Sequence, residues 1–123
     1  WMMASKARVF NDEQTLQLIL KENSPHKIKR LGRTVQQFQK LTWDLVKYDI
    51  VVHGNHLKFS QNQNMKEILF LTGRHTIIAE ASPLDSIWGI GISLKDATNG
   101  CEWKGENLLG KALMEVRDEL LRC

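Results

Sequence analysis

Apolar residues recur at spacings of three and four along most of this chain, and that period predicts helices. The first runs from about Trp1 to Phe10. A second runs from Asp12 to about Glu22, opened by "NDEQ" with acidic residues in its first turn. Ser24 and Pro25 read as an N-cap and a first-turn proline, starting a short helix that closes near Gly32. From Val35 to Ile50, "VQQFQKLTWDLVKYDI" places Val35, Phe38, Leu41, Leu45 and Tyr48 on one stripe, and the helix can continue toward "HLKFSQN". Gln63 to Thr72 carries Met65, Ile68, Leu69 and Leu71 before Gly73 stops it. The last helix, Asn107 to Leu121, aligns Leu109, Leu113, Val116 and Leu120. Only "TIIAEAS" has the β-branched run of a strand.

Composition places this pattern in one globular domain over residues 1–123. The chain has 123 residues, 42% hydrophobic and 25% charged, enough apolar mass for one core. Runs such as "DIVVHG" and "EILFL" are too short to cross a bilayer, and no basic region with an apolar stretch and cleavage site opens the chain. Cys101 and Cys123 lack metal-ligand spacing, so a reducing, cytoplasmic compartment is the simpler expectation over a disulfide between them. The net charge of +3 is mild, with the basic residues gathered in "HKIKRLGR", which suits an anionic small ligand better than general nucleic-acid binding. The chain opens "WMMASKARVF" with no initiator methionine and a helix already under way, so it reads as a fragment or processed product.

Several residues carry candidate chemistry. On a helix over residues 1–10, Lys6 has Met2, Met3, Val9 and Phe10 one turn away, the most apolar face available. Desolvation there lowers an amine's pKa and favours a nucleophile or general base. The competing reading is snorkelling, with a packed stem and a head in water. Asp85 in "SPLD" fits a capped turn, with Ser82 as cap and Pro83 in the first position. Equally, Glu80 and Asp85 border Trp88, and Gly89 and Gly91 let backbone approach a ligand, as in a pocket wall. Trp43 and Trp88 are candidates for stacking on a planar ring, while Trp103 would close over a site or cover the last helix. His26, His53, His56 and His75 form no metal-like grouping, so no metal is expected. "GIGISLKDATNG" lacks the strand–turn–helix context of a nucleotide-cofactor loop, and no cofactor is expected.

The ordered set "WMMASKA", "LGRTV", Trp43, "LKFSQN", "FLTG", "EASPLDSIWGIG" and "WKGENLLGKALMEVR" resembles the NADAR, or YbiA-like, family through nearly the whole chain. The resemblance implies an α+β, mostly helical single domain with a small strand component. It also implies N-glycosidase activity on a ribose C1–N bond. Two substrate classes go with it: ribosylamino-pyrimidine intermediates of riboflavin synthesis, and ADP-ribose on guanine or related NAD-derived adducts. Nucleic acid enters only as a modified substrate. Lys6 falls on the family's lysine after an aromatic, Asp85 and Trp88 on "DxxWG", Trp43 on its mid-chain tryptophan, and Asn107 and Gly110 on "NxLG". Lys6 and Asp85 are the implied catalytic pair, with Trp1, Arg33, Trp43, Glu80, Trp88, Trp103 and Asn107 holding substrate and Arg33 forking onto a phosphate. The family pattern carries a glutamate directly before the aromatic matched by Trp1, so the chain reads as N-terminally truncated relative to it. The alternative function is a catalytically silent module that binds ADP-ribose or a nucleotide.

Overall fold

The computed structural model describes residues 1–122 and divides the chain into two compact units, Trp1–Gly54 and the residues from Asn55 onward. In the first unit α1 (Met2–Val9), α2 (Glu13–Lys21) and α3 (Pro25–Gly32) pack on one another. Ala4, Ala7, Leu16, Ile19 and Val35 form their core, with Met3, Phe10, Ile28 and Leu31 around it. The small side chains of Ala4 and Ala7 let α1 lie close to its neighbours, and burying Leu16 and Ile19 contributes about 1.5–3 kcal/mol each. Two polar residues cap helices here, Ser24 as the sequence predicts and Asp12 just ahead of the helix it was expected to begin. Asp12 accepts from the Thr15 amide at 3.0 Å, and Ser24 accepts from the Lys27 amide at 3.4 Å ahead of Pro25.

The predicted helix from Val35 starts later, at Lys40, and α4 (Lys40–Gln61) runs through "HLKFSQ". Three features keep 35–39 out of it. Val35 is buried in the α1–α3 core, the Gln36 amide donates to Asp12 Oδ2 at 2.9 Å, and Gln37 sits at φ 59. A residue in the left-handed region ends helical phase. The apolar stripe shifts as a result: Trp43 and Val51 are buried, whereas Leu41 and Leu45 are exposed.

In the second unit α5 (Gln63–Leu71) packs on α7 (Leu108–Leu121), and a short α6 (Leu94–Thr98), unforeseen from the sequence, is capped by Ser93. Leu69, Ile90, Ile92, Ala112 and Val116 are its buried apolar residues. The expected α+β fold is corrected here: the regular elements of the described residues are all helices, and "TIIAEAS" is extended chain without a strand partner. Its physical substitute is Asn107. That side chain, 2% exposed, donates from Nδ2 to the Ile78 carbonyl at 2.9 Å and accepts the Glu80 amide on Oδ1 at 3.0 Å. One amide thereby satisfies the donor and acceptor that a neighbouring strand would have satisfied. Gly110 is required beneath it, because a Cβ there would collide with the Ile78 carbonyl oxygen.

Asn107→Ala leaves both backbone groups without a partner and is expected to cost about 2 kcal/mol, seen as a lower urea midpoint at unchanged slope. Asn107→Asp should fall at least as far, because a carboxylate would face the Ile78 carbonyl; an unchanged midpoint for both variants would remove the clamp from the account.

Candidate functional site

Lys6 is the chemically distinctive group of the first unit. Its Nζ lies over the Phe38 ring, 4.5 Å from the centroid, and 6.0 Å from the Trp43 ring. Phe10 braces Phe38 edge-on, with centroids 5.3 Å apart. Among the described residues the Lys6 amine enters no ion pair and makes no hydrogen bond, so the aromatic faces are its partners. Burial pushes the amine below its ordinary pKa, and the Arg33 guanidinium adds to that effect. The neutral form is therefore more accessible than in a solvated lysine. The folded chain holds this proton less tightly than the unfolded chain does. Stability accordingly rises with pH across the window between the folded midpoint and the ordinary value of 10.5, and the cost of the charged amine is present in full below that window.

The other expected residues of this unit take different positions. Arg33 follows α3, exposed, with its amide donating to the Arg30 carbonyl at 3.1 Å. Trp43 is 9% exposed, so it walls the amine from behind and offers little open face for stacking. Trp1 donates from Nε1 to the Ile50 carbonyl at 2.7 Å, and its ring lies against His53 and the bare backbone of Gly54. A Cβ on Gly54 would overlap that indole, so Trp1 here joins the start of α1 to α4.

In the second unit Glu80, Asp85, Trp88 and Asn107 share one loop cluster. Asp85 Oδ1 accepts the Ile87 amide at 3.0 Å and the Trp88 amide at 2.8 Å. The carboxylate thus caps the turn that follows it and orients Trp88, whereas the expected helical turn after Ser82 is reduced to one long contact, the Asp85 amide to the Ser82 carbonyl at 3.5 Å. Its Oδ2 has no donor among the described residues. Glu80 is fixed through its backbone, with its amide on Asn107 and its carbonyl accepting from the Ile90 amide at 2.8 Å, and the residue is exposed. Gly89 fits against both the Asp85 and Glu80 carbonyls, 2.8 and 2.9 Å from where a Cβ would stand. The loop therefore excludes any side chain at 89. Trp103 is 43% exposed, between glycine-rich turns.

Two residues were not foreseen for these roles. Phe38 fits the stripe of a helix that it does not join. Arg117 is buried to 2% and donates to Thr72 Oγ1 at 3.0 Å and to the carbonyls of Thr76 at 2.8 Å and Arg74 at 3.1 Å. A guanidinium at the carbonyl end of α5 complements that helix's dipole and holds the chain leading into 76–82. A basic residue one position after Val116 in an amphipathic helix was the available signal.

Among the described residues, the first unit thus sets a lysine amine near two aromatic rings, and the second carries a carboxylate-capped loop that leads into a tryptophan. The NADAR domain pattern matches residues 1–121, and the chain belongs to that family. It is 49% identical over 121 residues to an N-glycosidase of Acanthamoeba polyphaga mimivirus, covering 97% of this chain and 71% of that protein. The N-glycosidase YbiA of Shigella boydii is 30% identical over 115 residues, covering 94% and 66% respectively. The chloroplastic riboflavin biosynthesis protein PYRR of Zea mays is 34% identical over 102 residues, which span 80% of this chain and 15% of that longer protein. No helix of the described residues is long and apolar enough to cross a membrane.

Arg33→Gln removes the positive charge acting on Lys6 and should raise the Lys6 titration midpoint toward the ordinary value, read by NMR on isotopically dimethylated lysines. An unmoved midpoint would assign the whole effect to burial.

Proposed function

We propose that this chain is an N-glycosidase that hydrolyses the C1–N bond of a ribosyl compound, with Lys6 and Asp85 as its catalytic groups. The observation that carries the reading is Lys6: an amine held against Phe38 and Trp43, lowered in pKa and without an acceptor of its own. N-glycosidase names among relatives of the same family support the reaction class. The substrate is a small nucleotide-like molecule, either an NAD-derived ADP-ribosyl adduct such as ADP-ribosyl-guanine or a ribosylamino-pyrimidine of riboflavin synthesis. The name of the maize relative favours keeping the second class in the test. A cytoplasmic location suits both.

Cleaving an N-glycoside builds positive charge on C1 and the ring oxygen while the departing base gains an electron pair. A carboxylate oxygen stabilises the first, and Asp85 Oδ2 is the oxygen left for it while Oδ1 keeps the turn. Two routes use Lys6. As an ammonium it places a fixed charge and three N–H donors near anionic substrate oxygens. As a free amine it attacks C1; the C1–N bond to the base breaks and the base takes the proton the lysine nitrogen loses, after which the bond from C1 to the ring oxygen opens, that oxygen takes up a proton, and the sugar is held as an iminium. Water then adds to C1 and returns the lysine. Arg33 lies close enough to tune the amine and has the fork geometry for a phosphate. Trp88, oriented by Asp85, and Trp103 offer half-exposed rings for the base.

The test is to supply both substrate classes and detect the released base by mass. Release from one class is expected; binding without release from either would favour the silent nucleotide-binding module. Lys6→Met is expected to abolish release while its melting temperature stays within about 2 °C of the parent, since it removes an amine and keeps the apolar stem. Lys6→Arg should fail too, because a guanidinium stays protonated. Borohydride added during turnover should trap the sugar on Lys6 if the route is covalent, and normal turnover by Lys6→Met would return the residue to snorkelling.

Asp85→Asn keeps an oxygen for the Ile87 and Trp88 amides and removes the charge. Turnover should be lost with little change in melting temperature, whereas Asp85→Ala should also lose the cap, about 1 kcal/mol. Full activity in Asp85→Asn would reduce the residue to its turn.

A further inference from the structure

We propose that Phe38 is the positioning residue of the Lys6 amine: its ring fixes Nζ in place without a competing acceptor, leaving the N–H donors that point away from the ring for the oxygen atoms of a ligand. The proposal rests on the reading of Lys6 as a site residue and adds the device that prepares it. Four linked observations place the ring. Val35 is anchored in the α1–α3 core, Gln36 is held by Asp12 Oδ2, Gln37 turns through φ 59, and the Gln39 carbonyl accepts the Trp43 amide at 3.0 Å to start α4. Phe38 is thus fixed at both ends of a five-residue turn, with Phe10 against its edge. A left-handed non-glycine residue is uncommon, and here it is what lifts Phe38 off the helix and over Nζ.

Of the charged groups among the described residues, only Arg33 acts on the amine, and the Asp12 and Asp44 carboxylates of the first unit are engaged by other partners. Arg33, at the end of α3, repels it. Asp12 has both oxygens engaged, by the Thr15 and Gln36 amides. Asp44, beside Trp43 on α4, bridges Lys40 at 2.6 Å and Lys47 at 2.9 Å. A carboxylate on Lys6 would hold the amine by a short bond to its donors and cancel its charge; a π face holds it through the ring quadrupole and leaves the donors on its far side open. The ligand chemistry that follows is an oxygen-rich anion or sugar, placed on the side of Nζ away from Phe38.

The experiment reads Lys6 in the free protein, without substrate, so its outcome is independent of whether base is released. Isotopically dimethylated Lys6 is titrated by NMR in the parent, Phe38→Leu and Phe38→Trp. Phe38→Leu keeps apolar bulk and loses the π face, so the midpoint should fall by about half a pH unit. Phe38→Trp should keep the parent midpoint. In the parent the Lys6 methyl signal should be a single narrow line, broadened or multiplied in Phe38→Leu. An unmoved midpoint with an equally narrow line in Phe38→Leu overturns the proposal. Should Phe38→Leu fail to give a cooperative melt, Phe38→Met takes its place: a lowered midpoint and a broadened line support the proposal, and parent values of both overturn it.

Discussion

The described residues of this chain form no sheet, yet the backbone donors and acceptors of their loops must still be satisfied, and here polar side chains do so. Asp12 serves the Thr15 and Gln36 amides, Asn107 serves Ile78 and Glu80, Asp85 serves Ile87 and Trp88, and Arg117 serves Arg74 and Thr76. Each ties together two backbone groups outside regular helix pairing. These residues are a structural requirement first. The loops that carry Phe38, Trp88 and Glu80 have their shapes because of them.

The dependence runs from these clamps to the chemistry. In the first unit Asp12 caps α2 and, through Gln36, sets the turn that delivers Phe38 to Lys6. Hydrogen bonds from Thr15 and Gln36 hold the Asp12 carboxyl below its usual range, so the clamp is firm at neutral pH and loosens only as acid protonates it. In the second unit Asn107 holds 78–80 and Asp85 holds 87–88, with Gly89 fitted between carbonyls of both segments. Asp85 holds its turn through one oxygen, which leaves the other for the chemistry proposed above.

The helices were legible because their signals are local. The cap at Ser24 with Pro25, the acidic first turn of α2, and the three-and-four spacing of α5 and α7 lie within one or two turns of sequence. What escaped was decided at long range. Val35 and Phe38 fit a helical stripe, yet a carboxylate 24 residues away draws Gln36 out of helical phase. "TIIAEAS" has strand composition, yet its partner is a single amide 27 and 29 residues downstream, which gives extended backbone without a ladder. The apolar neighbourhood of Lys6 was readable from helix spacing, but the ring that meets its amine came from outside that helix. For Asp85 the sequence left pocket wall and capped turn open, and the geometry shows the carboxylate capping forward, onto the amides of 87 and 88.

The way Lys6 is held bears on which of its two chemical roles is reachable. A carboxylate partner would raise the amine's pKa and keep it charged, closing the nucleophilic route at neutral pH. Aromatic contact is weaker, about 0.5–1 kcal/mol where solvent has access, and burial with the Arg33 charge acts against it. The balance leaves the proton removable. An anionic ligand arriving at Arg33 would cancel the repulsion and favour the ammonium, whereas a neutral ligand would leave the amine's proton less tightly held than on a solvated lysine. In the reaction proposed above, the ligand's own charge would therefore bear on whether Lys6 acts as a cation or as an amine.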